Sequence, residues 1–135
     1  MIGKIQDKAY RQLVNDYSAR CQGRIGVEIV HCKTPQEVEK RLSDREYIVA
    51  LDENGKEFDS MSFSRWLSDK IKSGLSRLTV CLGGAAGHSP AVRNKARESI
   101  ALSRLTLNHQ MALAVFAEQT YRALSILFGE PYHKP

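Results

Sequence analysis

Five separated stretches hold the residues whose types and spacing could do chemistry. The first is GGAAGHSP at 83–90. Gly83, Gly84 and Gly87 let the backbone turn tightly and approach a ligand with no Cβ in the way, and Ala85 and Ala86 keep the surface flat. The pattern G-G-x-x-G lacks both the dinucleotide-fingerprint spacing and the lysine of a P-loop. It reads either as a tight strand-to-helix turn or as a ligand cradle. The second is LDENGKEFDS at 51–60, where Asn54 and Gly55 centre a turn within a long strand-to-helix loop. Leu51 then ends a strand, where its main chain can meet a ligand. The third is LSRLTLNHQ at 102–110, in which Ser103, Thr106, Asn108 and His109 set short polar groups near backbone amides. His109 either starts a helix by hydrogen bonding or acts on a ligand. The fourth is AEQTYRA, with Glu118 and Arg122 paired at i,i+4. The fifth is the tail EPYHKP at 130–135. Termini usually fray, but Tyr132, His133 and Lys134 offer a phenol, an imidazole and an ammonium, a contact set for phosphate and base if the tail docks.

Positioning these groups needs a scaffold. Apolar runs at 27–32 (VEIVHC), 47–52 (YIVALD), 78–82 (LTVCL) and 105–107 (LTL) predict strands. The middle two are nearly continuous apolar, as suits strands covered on both faces. Helical spacing predicts helices over 6–20, 35–42 (opened by Thr34 and Pro35), 62–73, 90–101 and 110–128. The last is stopped by Gly129, with Pro131 just beyond. Strand and helix alternate, which predicts an α/β fold: a mainly parallel sheet with helices on both faces. Ligands in such sheets bind outside the carboxyl ends of the strands, which selects 51–56, 83–88 and 108–109. Within 111–128, thirteen residues are apolar, so this helix must be buried on more than one side. One small sheet covers a single side, so a second copy of the chain is expected over the rest, as a homodimer.

Composition bounds the partners. The 135 residues suit one domain, 1–135. The formal net charge of +5 lies wholly in residues 68–135, which carry 9 Lys/Arg and 4 Asp/Glu. A basic half is either a solubility device or a surface for a polyanion, RNA or DNA first. No apolar run approaches the roughly 18 residues of a membrane span, and the charged N-terminus is unlike a secretion signal. Cys21, Cys32 and Cys81 lie far apart, which excludes a disulfide framework and an all-cysteine zinc site. No metal is expected, and a reducing cytoplasm suits such a chain.

Taken together, LDENGK, CLGGAAGHSP, LSRLTLNHQ, AEQTYRA and the terminal PYHK resemble the RlmH (YbeA) family of SPOUT-class 23S rRNA methyltransferases. The match is collinear over about 47–135, with weaker cover through 3–46. The resemblance implies a parallel α/β sheet, a C-terminal trefoil knot and a homodimer. It also implies methyl transfer from S-adenosyl-L-methionine to N3 of a pseudouridine in the helix 69 loop of large-subunit rRNA, on the assembled ribosome. By matching motif, Leu51, Gly84, Ser103, Arg104, Leu105, Thr106, Leu107 and Asn108 would hold the cofactor. Arg122, Lys134 and His109 would bind substrate, with His133 and Tyr132 as catalytic candidates contributed by the partner subunit. An imidazole titrates near neutrality, which makes His133 the candidate to remove the N3 proton. Family members begin with an apolar strand before the residues matching Gly3 and Lys4, so either the sheet is one strand short or the chain starts further upstream. Leu113 stands where they usually carry Arg, and Ala86 where a larger or acidic side chain is common. Two other readings remain open: a catalytically impaired, knotted, dimeric RNA- or ribosome-binding homologue, and a nucleotide-binding module with phosphates at the helix near Ser89.

Overall fold

The computed structural model describes residues 8–43, 45–75, 77–83 and 87–134. Its described strands, β1 (Tyr47–Glu57), β2 (Leu78–Leu82) and β3 (Glu98–Ala101), form one parallel sheet in the order β2-β1-β3. The helices are α1 (Lys8–Cys21), α2 (Pro35–Arg41), α3 (Ser60–Lys72), α4 (Pro90–Lys95) and α5 (His109–Leu127). This is the α/β class that the alternating pattern predicts.

Alternate residues of a strand face opposite sides, and here both sides are apolar. Val49 packs with Phe63, Trp66, Leu67, Ala123 and Leu124 from α3 and α5. Its neighbour Ile48 packs with Val38, Val92 and Cys81, on the side of α2 and α4. A further cluster joins Val14 of α1, Leu82 of β2, and Leu113 and Ala114 of α5. Thus α1, α3 and α5 cover one face, and α2 and α4 the other. All three cysteines are free and buried, and burial pushes the Cys21 and Cys81 thiols up.

Four helices start where side-chain oxygens can take up orphan amides. Thr34 accepts from the Glu37 amide, Ser89 from Val92 and Asn108 from Met111. Asp59 and Ser62 form a reciprocal capping box on α3. The bond from the Ser62 amide holds the Asp59 carboxyl below its usual range.

The structure corrects four expectations. Residues 27–32 form no strand beyond a single bridge at Cys32; among the described residues, none of the three strands takes them as a partner. Their alternation serves packing, with Val27 and Ile29 against the α5 side and Val30 and Cys32 against the α2 side. The helix from Pro90 ends at Lys95 rather than at residue 101, because Ala96 is extended (φ −69°, ψ 129°) and the Arg97 amide bonds the Ile48 carbonyl at 2.8 Å. Residues 98–101 are β3, and 105–107 are loop, with Leu105 75% exposed. Lastly, 52–56 are not a free loop. β1 runs on to Glu57 through a register shift, with Leu51 and Lys56 both opposite Ile100. The turn survives as a local device, the Asp52 carboxylate accepting from the Asn54 amide at 2.9 Å.

Burial of α5 also has a source the sequence did not reveal. Its sides are packed by α1 and α3 of the same chain, and Leu113 and Leu124 lie in the core at 6% and 2% exposure. Leu113 is therefore a packing residue, and a charge at Leu124 would act on folding before it could act on association.

Candidate functional site

Parallel strands leave their carboxyl tips on one edge of the sheet, and the three short strands bring the loops after them together there. Gly83, just past β2, allows a close approach: a Cβ on it would lie 2.8 Å from the Gly87 carbonyl carbon. Gly87 has φ +79°, a region that favours glycine. His88 then reaches across to Leu51, where β1 stops pairing with β2, its Nε2–H donating to the Leu51 carbonyl at 2.7 Å. Arg93, on α4, stands 3.9 Å from Asp52, the next residue.

The loop after β3 is tied to the end of β1 from the other side. Thr106 Oγ1 donates to the Glu53 carboxylate. Arg104 Nε donates to Glu57 Oε1 at 2.7 Å; both groups are more than half exposed. Ser103 Oγ accepts from the Leu105 amide at 3.0 Å. Gly55 has its Cβ direction closed by the Ser99 and Ile100 backbone at 2.6–2.7 Å, so the extension of β1 lies directly on β3. Between these loops is a hollow of about 460 Å³ lined by Glu53, Asn54, Gly55, Glu57, Arg104 and Thr106, within the range of small-molecule sites.

Of the expected cofactor residues, Leu51, Ser103, Arg104 and Thr106 therefore lie on loops that touch or face one another. Leu105 points to solvent, Leu107 is half-buried, and Asn108 caps α5 with His109 as its first residue. Gly84, like Ala85, Ala86, Gly3 and Lys4, lies outside the described residues. Sequence reasoning missed His88 and Glu53. The 37-residue separation of His88 and Leu51 leaves no local signal; the only hint was a histidine closing the glycine loop.

The second cluster is the tail. Tyr132 packs edge-on against Tyr121 (4.8 Å between centroids), and its hydroxyl lies 3.2 Å from Tyr17 Oη and 3.4 Å from Glu118 Oε2. Burial, the Tyr17 bond and Glu118 hold the Tyr132 phenol neutral, well above its ordinary pKa. Arg122 Nε donates to Glu118 at 3.1 Å, which keeps its own pKa raised. Arg122 Nη1 donates to His133 Nδ1 at 3.0 Å. His133 thus carries its proton on Nε2. Lys134 is exposed. The docked tail agrees with the expectation, but its anchors include Tyr17 of α1, which nothing in the sequence ties to the tail.

The parallel α/β sheet, the loops gathered at its strand tips and the docked tail stand together with a full-length sequence match. The family model described as "Predicted SPOUT methyltransferase" matches residues 1–133. The chain belongs to the SPOUT methyltransferase family. It is similar to the ribosomal RNA large subunit methyltransferase H of Parabacteroides distasonis, 38% identical over 149 residues, covering 98% of this chain and 95% of that protein. Proteins of the same name from Christiangramia forsetii and Porphyromonas gingivalis are each 36% identical, covering 98% of this chain and 94% and 95% of theirs. SPOUT membership implies S-adenosyl-L-methionine as the methyl donor. Glu53 and Glu57, which line the hollow described above and bond Thr106 and Arg104, carry the negative charge that a sulfonium would meet there. Among the described residues, no helix is long and apolar enough to cross a membrane, and no three His, Cys, Asp or Glu side chains gather as metal ligands.

Proposed function

We propose that this protein methylates large-subunit rRNA, taking the methyl from S-adenosyl-L-methionine and placing it on N3 of a pseudouridine in the assembled ribosome. The observation that carries the reading is the convergence of the end of β1 (51–57) and the 103–106 loop on one hollow, in a chain of which 98% aligns with ribosomal RNA methyltransferases. In this reading Leu51, Gly84 and the 103–108 loop hold the cofactor, which supplies an activated methyl on a sulfonium. Arg122, His109 and Lys134 grip the RNA, and Tyr132 and His133 complete the reacting end.

We read the enzyme as one knotted domain working as a homodimer in the cytoplasm. A length argument supports the dimer. The tail docks at Glu118, ten residues along α5 from Asn108, a rise of about 15 Å. In-line transfer needs reacting atoms about 3–3.5 Å apart. A neighbouring copy's tail meets that need better than the chain's own.

The proton step has a condition. While Arg122 donates to Nδ1, the proton of His133 sits on Nε2, and that nitrogen can only donate. For Nε2 to take the N3 proton, the Arg122–His133 bond must break and the ring carry its proton on Nδ1. Substrate phosphate competing for Arg122 would release it.

Ribosomes from a strain lacking the modification, incubated with labelled cofactor, test the reading directly: one methyl per large subunit is expected. His133→Ala should lower kcat about 100-fold or more while leaving cofactor affinity unchanged by calorimetry. Full methylation by that variant removes His133 from the mechanism. Failure of the parent protein to bind the cofactor at all favours an RNA-binding homologue without catalysis.

A further inference from the structure

The edge of the sheet opposite the strand tips is a concentrated band of positive charge. The three connections that lead from a helix end into a strand start, taken from the last two helical residues, are 40–46, 71–77 and 94–97. They carry seven cations, Lys40, Arg41, Arg45, Lys72, Arg77, Lys95 and Arg97, against two acids, Asp44 and Glu46. That excess equals the formal net charge of the whole chain, +5. The connections after the strands, taken the same way (58–61, 83–91 and 102–110), carry one cation and one acid.

Parallel pairing sets these connections side by side. Tyr47 lies opposite Leu78, and Val49 opposite Glu98. Arg77 and Arg97 immediately precede β2 and β3, and Arg45 stands two residues before β1. With strands about 4.8 Å apart, the three arginines follow one another along the edge in the order Arg97, Arg45, Arg77. Arg45, Arg77 and Arg97 are exposed, as are Lys40, Arg41 and Lys72. Among the described residues only Arg77 of the seven forms an ion pair, with Glu46 at 3.6 Å. Lys95 and Arg97 also rim a hollow of about 350 Å³ that includes Glu46, Ile48 and Asn94.

Basic residues in the last turn of a helix complement its dipole, which accounts for Lys40, Arg41, Lys72 and Lys95. It does not account for arginines at three successive strand starts, because sheets carry little net dipole. Nor does internal pairing: among the described residues Arg77 has Glu46 at 3.6 Å, and Arg97 lies over the Tyr47 ring at 5.7 Å, which is no ion pair.

We propose that this edge is a second, non-catalytic contact for the RNA, gripping rRNA phosphates at the end of the sheet away from the cofactor loops. The proposal rests on the reading that the substrate is rRNA. Phosphates fit the edge because it offers exposed cations in series, beside the exposed Ile71 and Leu75 of the connection into β2. It supplies affinity and orientation, and leaves sequence choice to the reacting end.

The test is binding to ribosomes from a strain lacking the modification, measured over a series of KCl concentrations. The variants are Arg45→Gln/Lys95→Gln/Arg97→Gln and the corresponding triple substitution to Glu, each checked by circular dichroism. We expect the Gln variant to weaken binding about tenfold near 0.1 M salt and to lower the salt slope by about two to three. The Glu variant should weaken binding further, while kcat at saturating ribosomes and cofactor affinity hold. Binding within twofold of the parent, with an unchanged slope, overturns the proposal. So does a loss seen with ribosomes but absent with deproteinised rRNA, which assigns the edge to a ribosomal protein. Cofactor calorimetry on the parent is scored separately, so failure of the methyl-transfer reading is distinguishable from failure of this one.

Discussion

At the carboxyl tips of the strands the chain places glycines, main-chain carbonyls and short hydroxyls, in connections with one cation and one acid; at the amino starts it places seven cations against two acids. The tips are held by bonds that join a loop to β1, His88 to Leu51 and Thr106 to Glu53. At the starts, Glu46 takes a bond from Thr79 Oγ1 at 2.8 Å, and a part-buried ionic knot ties β1, β3 and α3. There Glu98 accepts from Tyr47 Oη at 2.6 Å, Trp66 Nε1 at 3.1 Å and Lys70 Nζ at 2.6 Å. The difference teaches where each job can be done. A slot for a small molecule is built from backbone and short side chains at close range, whereas a polyanion needs long charged side chains in water, where they keep their hydration until contact.

The sharpest way to break this comparison is Gly55→Val at the tips. Its Cβ would meet the Ser99 and Ile100 backbone at 2.6–2.7 Å, and backbone cannot rotate aside. We expect methylation to fall by more than about 100-fold, with a lowered melting temperature, because a displaced loop loses positioning. Wild-type activity in this variant would show that β1 and β3 need not touch beyond Leu51.

At the other end, Glu98→Gln should destabilise the fold by about 1–3 kcal/mol, because Lys70, Tyr47 and Trp66 lose a charged acceptor. Cofactor affinity of the folded fraction should be unchanged. The same knot predicts a pH dependence. Burial opposes ionisation of Glu98, yet the bonds from Lys70, Tyr47 and Trp66 outweigh it and hold the carboxyl below its usual range. A lowered folded pKa gives stability that is present above the unfolded value, about 4.3, and is lost as pH falls through the folded value. Burial likewise opposes the Lys70 charge, but Glu98 and Tyr47 raise its pKa overall. Its contribution is present below the unfolded value, about 10.4, and is lost as pH rises through the folded one. Urea midpoints measured from pH 3 to 7 should drop at the acid end in the parent and flatten in Glu98→Gln.

A smaller effect is expected from His88→Leu. It removes one hydrogen bond between the loop after β2 and β1, about 0.5–1.5 kcal/mol, which calorimetry should read as a several-fold loss of cofactor affinity. An equal loss in the thermal melt, with affinity kept, would make the bond structural only. The smallest is Arg104→Ala. Its partner Glu57 is as wet as itself, and exposed pairs contribute about 0–1 kcal/mol, so the melting temperature should move little.

The sequence carried the α/β class, the start of β1, the position of β2, the helix starts at Thr34 and Ser89, and the loops after β2 and before α5. These are local signals: apolar runs long enough to read, cap residues beside their helices, and glycines that turn the chain. It misplaced β3, since four residues (98–101) are too few to show a period and the preceding Ser-Pro pattern invited a longer helix. It could not show why α5 is apolar on several sides, because α1 lies about a hundred residues away along the chain. Tyr17 beneath Tyr132, like His88 on the Leu51 carbonyl, is decided by packing alone.

What the residue order determined by itself was therefore which groups were available and how each short segment folds, since both follow from side-chain chemistry and nearest neighbours. Which groups meet was decided by the parallel sheet. It gathers all strand tips on one edge and all strand starts on the other, and so separates the hollow beside the tips from a basic band, though the two lie interleaved along the chain.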